Sequence, residues 1–154
     1  MIYVAFDSNT FIGKAIKFFT RSTLSHIAIL TDDKLIEPWG NLFDIHWRFS
    51  KFSYHKNSTA YIYELKLSEE QESLAKRFYT WLAETEMPYN YFGVIGFIIP
   101  AFISNGGYFC SEGAWDGLKF AGIKNEAKGY QVNPEIFVSL IQGLGAKLIG
   151  VKHL

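Results

Sequence analysis

The sequence predicts an α+β fold in which a central antiparallel sheet is flanked by helices, and three observations predict it. Two apolar runs, Ser25–Leu30 and Lys34–Pro38, flank the polar pair Asp32-Asp33 and read as a hairpin. Two segments carry explicit helix-start signals, Ser68 with Gln71 three residues on and Asn133 followed by Pro134. Finally, 154 residues with 49% apolar and 19% charged content suit one domain, 1–154, with a substantial core.

The elements follow in order. Ile2–Phe6 reads as a first strand. Thr10–Phe19 has Phe11, Ala15, Phe18 and Phe19 at helical spacing and predicts a helix. After the hairpin, Phe43–Phe49 and Thr59–Leu67 alternate as two further strands. Ser68 and Gln71 form a capping box for a helix whose apolar stripe is Leu74, Phe78, Trp81 and Leu82. Met87-Pro88-Tyr89 ends that helix and opens an apolar connection. Cys110, Ala114, Leu118 and Ala121 then recur at near-helical spacing. Asn133-Pro134 starts a last helix with Ile136, Phe137, Leu140 and Ile141 as its stripe, and Ala146–Val151 reads as a final strand.

Composition excludes several classes. Lys+Arg and Asp+Glu balance at 15 each, so no electrostatic footprint for nucleic acid is present. The stretch from His46 to Lys56 interleaves cations with aromatics, and we read it as an amphipathic strand and loop with a solvated basic face rather than a base-stacking surface. The first residues lack the basic and long apolar regions of a secretion signal, so the expected location is the cytoplasm. The longest apolar run, Phe92–Ile103, is twelve residues broken by Pro100, too short to span a bilayer, and no integral membrane association is expected. No paired His or Cys spacing offers three metal ligands, and no cofactor is expected.

The chemistry-bearing residue is the single cysteine, Cys110, in Gly-Gly-Tyr-Phe-Cys-Ser-Glu-Gly-Ala-Trp. A lone thiol makes no intramolecular disulfide, which leaves core packing or thiolate chemistry. At a helix N-terminus, unpaired backbone N–H groups favour a thiolate. A cysteine nucleophile needs a base, and of the four histidines His26 stands out. His46 and His55 look exposed, and His153 lies near a chain end. His26 begins the apolar strand Ser25–Leu30, where the alternatives are a catalytic base on a rigid element or a packed strand histidine. With Asp32-Asp33 as a two-residue turn, Thr31 pairs with Lys34, Leu30 with Leu35 and Ala28 with Glu37, while Trp39 lies opposite His26. Glu37 is then a diagonal neighbour of His26, across the small Ala28, placed to hold the imidazole. A slip of one residue would put Glu37 on the other face. The Cys110 backbone N–H is the natural oxyanion donor, and Tyr89 offers a phenol.

Taken together, His26 in Thr-Leu-Ser-His-Ile-Ala-Ile-Leu, Glu37 in Leu-Ile-Glu-Pro and Cys110 in Tyr-Phe-Cys-Ser-Glu resemble the circularly permuted NlpC-type papain-like cysteine enzymes, YiiX/YebB-like, in which His precedes Cys. Phe11-Ile12-Gly13 through Ser22 resembles that family's first helix and following loop, and Pro88-Tyr89 its Pro-Tyr segment. The resemblance covers roughly residues 2 to 123. It implies a permuted papain-like fold and a cysteine peptidase or amidase with Cys110, His26 and Glu37 as catalytic residues. Tyr89, Ser111 and Trp39 are implied as oxyanion or substrate contacts, and the implied partner is a small peptide, amide or acyl substrate. Gly113 departs from the pattern, standing where a larger apolar residue is usual. Distant lecithin–retinol acyltransferase-like relatives make acyl transfer or lipid-ester hydrolysis the alternative activity. A non-catalytic binding or inhibitory module on the same fold is the other.

Overall fold

The computed structural model describes residues 1–41, 44–97 and 106–154. Phe43, where the fourth strand was expected to begin, and residues 98–103 of the apolar run lie outside the described residues.

Six antiparallel strands form one sheet: β1 (Ile2–Ser8), β2 (His26–Thr31), β3 (Lys34–Asn41), β4 (Asp44–Ser50), β5 (Ser58–Glu64) and β6 (Lys147–His153). They lie in the order β4-β3-β2-β1-β5-β6, so β1 is central and β4 and β6 are the edges. The hairpin register is the one its turn predicts, with Thr31 opposite Lys34, Leu30 opposite Leu35 and Ile29 opposite Ile36. Asp32 adopts the left-handed region at φ 53°, which aspartate tolerates better than most residues. That register puts Leu35 and Glu37 on one face of β3 and Ile36 on the other.

Among the described residues, five helices accompany the sheet: α1 (Phe11–Thr20), α2 (Glu69–Glu84), α3 (Tyr91–Gly96), α4 (Cys110–Phe120) and α5 (Pro134–Gly143). Both capping signals are realised. Ser68 and Gln71 bond reciprocally, and Asn133 accepts from the Ile136 N–H with Pro134 at the first helical position. Helix α3 was not expected, because its start signal is only Asn90, which accepts from the Gly93 N–H at 2.8 Å.

The main core lies between one sheet face and α2, α4 and α5, around Tyr3, Trp47, Tyr79, Trp115 and Phe137, all fully buried. Its phenols are satisfied in series. Tyr79 donates to the Ala114 carbonyl at 2.7 Å, and Tyr3 lies 3.0 Å from the Tyr79 oxygen. The Trp47 ring occupies the space that a side chain at Gly113 would need, which accounts for glycine where a larger residue was expected. The opposite sheet face carries a smaller cluster of Val4, Phe6, Ala28, Leu35 and Ala60. The helix stripes are rotated from the expected ones. In α2 the buried residues are Ala75, Tyr79, Leu82 and Ala83, with Trp81 exposed, and in α5 Ile136 is exposed while Val138 is buried.

Candidate active site

Strand β2 begins with His26, paired across β1 with Phe6. The hairpin register carries Glu37 to the same face, and its Oε2 lies 2.7 Å from Nε2 of His26. Glu37 is fully buried, so its charge needs partners. Its second oxygen, Oε1, accepts from Ser50 Oγ and lies 2.9 Å from Nε2 of His55. The carboxylate thus bridges two imidazoles, one on each oxygen, and both Nε2 atoms act as donors because a carboxylate only accepts.

Burial alone would raise Glu37. The hydrogen bonds and charges of His26 and His55 outweigh it and hold the carboxyl at about 2. Burial likewise works against a charged His26, but Cys110, through its charge interaction and hydrogen bond, and then Glu37 raise the ring from 6.5 to about 10. With Nε2 on Glu37, Nδ1 is the ring nitrogen left for the thiol.

His55 and Ser50 were missed at the sequence level. His55 was expected to be exposed in a basic loop, and it is buried. It closes a 3-10 turn over Phe52–Tyr54 and stacks on Phe6 with centroids 3.8 Å apart and planes 8° apart. The signal in the sequence was faint, a histidine five residues after a serine that ends a strand. His46 is half-buried, with Nε2 2.8 Å from Asp44 and Nδ1 3.0 Å from the Glu86 carbonyl, and His153 Nδ1 lies 3.1 Å from Thr59 Oγ1.

Cys110 is buried and is the first residue of α4, so its backbone N–H belongs to the unpaired first turn. Its place beside Tyr89 is built from the backbone. The Trp47 N–H donates to the Met87 carbonyl at 2.9 Å and the Tyr89 N–H to the Ile45 carbonyl at 3.1 Å, which adds the Pro88 segment to β4 as an antiparallel bridge. The Tyr108 N–H then donates to the Pro88 carbonyl at 3.3 Å. Gly107 is required there because a Cβ would collide with that carbonyl. The Tyr89 phenol is raised well above its ordinary value by burial and then by the charges of Cys110, Tyr91 and Glu112, so it stays a neutral donor.

The remaining expected residues divide. Ser111 is fully buried and its hydroxyl donates to the Val132 carbonyl at 2.6 Å, so it ties the start of α4 to the following loop and has no surface with which to meet a substrate. Trp39 is half-exposed, stacked on Tyr54 at 5.8 Å and tilted against His55 at 4.8 Å. It walls a cavity of about 260 Å³ that also exposes Phe6, Ile12, Ile16, His26, His55 and Tyr89. Cys110 is not among the residues that line this cavity, but it acts electrostatically on two that are, His26 and Tyr89. A larger groove of about 1140 Å³ runs along α2 past Phe78, Trp81 and Phe120 and includes none of these groups.

Sheet and helices define an α+β fold, with His26 and Glu37 joined at the start of β2 and Cys110 at the start of α4. The fold is similar to that of a solved structure, the metalloprotein YiiX from Escherichia coli O157:H7, DUF1105, with a TM-score of 0.54 and 16% identity, over 92% of this chain and 79% of that one. No protein-family model matches the chain, and no curated protein does. The YiiX description raises the question of a metal. Among the described residues no group of three His, Cys, Asp or Glu side chains is arranged to hold a metal ion, and both site imidazoles present Nε2 to Glu37 as donors rather than as lone pairs. The residues do not fit a metal centre. Among the described residues no helix is long and apolar enough to cross a membrane.

Proposed function

We propose that the chain, acting as one unit over 1–154, is a cysteine hydrolase of the circularly permuted papain-like kind that cleaves an amide or peptide bond, of the type found in peptidoglycan peptides or related amides. One observation carries this reading. A fully buried carboxylate holds Nε2 of His26 at 2.7 Å, and against its burial the same ring is raised to about 10, first by Cys110 at the first residue of a helix and then by Glu37. A packed strand histidine needs one hydrogen-bond partner and no cysteine beside it.

In this reading Cys110 Sγ, as thiolate, attacks the carbonyl carbon and the carbonyl π electrons move onto oxygen. The Cys110 N–H and the Tyr89 hydroxyl receive that oxyanion. The His26 imidazolium gives its Nδ1 proton to the departing amine, the C–N bond breaks and a thioester remains. Water then attacks the thioester as His26 takes its proton, the carboxylic acid leaves and the Cys110–His26 pair is restored. Glu37 stays ionised throughout, fixing the ring and supporting its charge. Ser50 and His55 keep Glu37 in place.

A second reading, thiol acyl transfer or lipid-ester hydrolysis, is favoured by the apolar wall of the cavity, made by Phe6, Ile12, Ile16 and Trp39. The two separate on products, by offering muropeptides and other short amides beside short acyl esters. Amide cleavage that is lost in Cys110→Ala and in His26→Ala supports the first reading. Ester turnover with no amide cleavage supports the second. Full function retained by Cys110→Ala would make the chain a binding module.

A further inference from the structure

Helix α1 faces the wrong way for a helix of a water-soluble surface. At 100° per residue, Phe18, Phe11, Ala15, Phe19 and Ile12 fall in an arc of about 120°. That arc points outward: Phe11 is 87% exposed, Phe18 72%, Ile12 41% and Phe19 37%. The inward residues are Gly13 and Thr20, small or polar. Gly13 lets the helix sit directly on Ser8, and a Cβ there would come within 2.7 Å of the Ser8 side chain. Lys17 pins the helix through a 2.6 Å ion pair to Asp7. The helix is thus held to the body by polar and close-packed contacts and offers its apolar face outward.

The charge around that face has one sign. From Phe11 to Arg21 the ionisable residues are Lys14, Lys17 and Arg21, with no acid, although the chain as a whole is neutral. Lys14 and Arg21 are exposed and have no ion-pair partner among the described residues; Lys14 falls on one flank of the apolar arc and Arg21 caps the C-terminal end of the helix. An aromatic arc flanked by unpaired cations is the arrangement that seats in the headgroup layer of an anionic bilayer, with the rings in the acyl boundary and the cations at the phosphates. A protein partner or a second copy would supply apolar cover but gives no reason for the cations, since this helix has no acid to complement them.

We propose that α1 is an interfacial helix that seats the protein on an anionic lipid surface. It does so beside the cavity, because Ile12, Gly13 and Ile16 of the same helix line the wall that also exposes His26 and Trp39. Resting on the hydrolase reading for the chemistry, this makes the substrate one that carries its scissile amide or ester on an acyl chain at the membrane.

Sedimentation with vesicles tests it. The wild type should co-sediment with phosphatidylglycerol vesicles and at least about tenfold less with pure phosphatidylcholine. Phe11→Ser with Phe18→Ser should lower binding by at least about tenfold, with unchanged circular dichroism, since both side chains are exposed. Lys14→Glu with Arg21→Glu should abolish the anionic preference. Cys110→Ala should bind like the wild type, so that a failure of the catalytic reading leaves this result intact. Absence of vesicle binding by folded wild type overturns the proposal, as does binding indifferent to the two serines. A dimer in lipid-free ultracentrifugation that the same serines dissociate also overturns it and makes a second copy the occupant.

Discussion

Glu37 is the residue on which the site turns. Its value of about 2 lies below the ordinary 4.5, so its stabilising contribution is present above about 4.5 and is lost as pH falls through about 2. His26 is displaced the other way, so its contribution is full below 6.5 and is lost as pH rises through about 10. The cluster therefore supports the fold most fully between about pH 4.5 and 6.5. Glu37→Ala leaves two imidazoles facing a buried void, and urea denaturation near pH 6 should show a loss of about 3–5 kcal/mol. Glu37→Gln should slow amide hydrolysis by about a hundredfold or more, because the ring loses both its orientation and its counter-charge. Ring titration by NMR should place His26 lower in Glu37→Gln and in Cys110→Ser than in the wild type. The His26–Glu37 contact was legible in the sequence because a two-residue turn determines every opposite pair in a hairpin. His55 was not, because its burial depends on a 3-10 turn folding back onto Phe6, a contact across 49 residues that no local pattern announces.

At the scale of elements, local signals for starting a helix were reliable and signals for facing were not. Ser68 and Asn133 cap helices because the capping hydrogen bond is made within one turn, whatever surrounds it. Which face of α2 is buried depends on its partner. Tyr79 goes inward because Tyr3 and the Ala114 carbonyl satisfy its hydroxyl, and this rotates Trp81 into solvent. The apolar spacing of α1 correctly announced a helix, yet the packed face is the one with Gly13 and Thr20. Two substitutions test the packing of α4. Gly113→Ala drives a Cβ into the Trp47 ring and should cost about 1–3 kcal/mol by chemical denaturation. Glu112, whose carboxyl accepts from the Phe109 N–H at 3.3 Å, is raised by burial to about 7. The native state then holds a proton that the unfolded state has lost, so stability falls as pH rises from about 4.5 to 7. Glu112→Gln keeps the acceptor and removes the charge, and its melting temperature should exceed that of the wild type at about pH 8 while matching it at about pH 4.

At the scale of the molecule, one sheet unites two environments that the site requires. Its helix-covered face builds the core on which α4 rests, and its other face carries Phe6, Ala28 and Leu35 beneath Glu37 and His26. The β4 edge receives the Pro88-Tyr89 segment, which brings the phenol to the thiol. The order of chemical groups along the chain, His26 then Glu37 then Cys110, follows from this layout, in which the hairpin is complete before α4 is reached. The likeness to YiiX at 16% identity is a likeness of fold. Alkylation by iodoacetamide across pH measures directly whether His26 activates Cys110. Wild-type Cys110 should react at least about tenfold faster near neutral pH than Cys110 in His26→Ala. Equal rates in the two proteins at every pH, with both folded, would contradict the account.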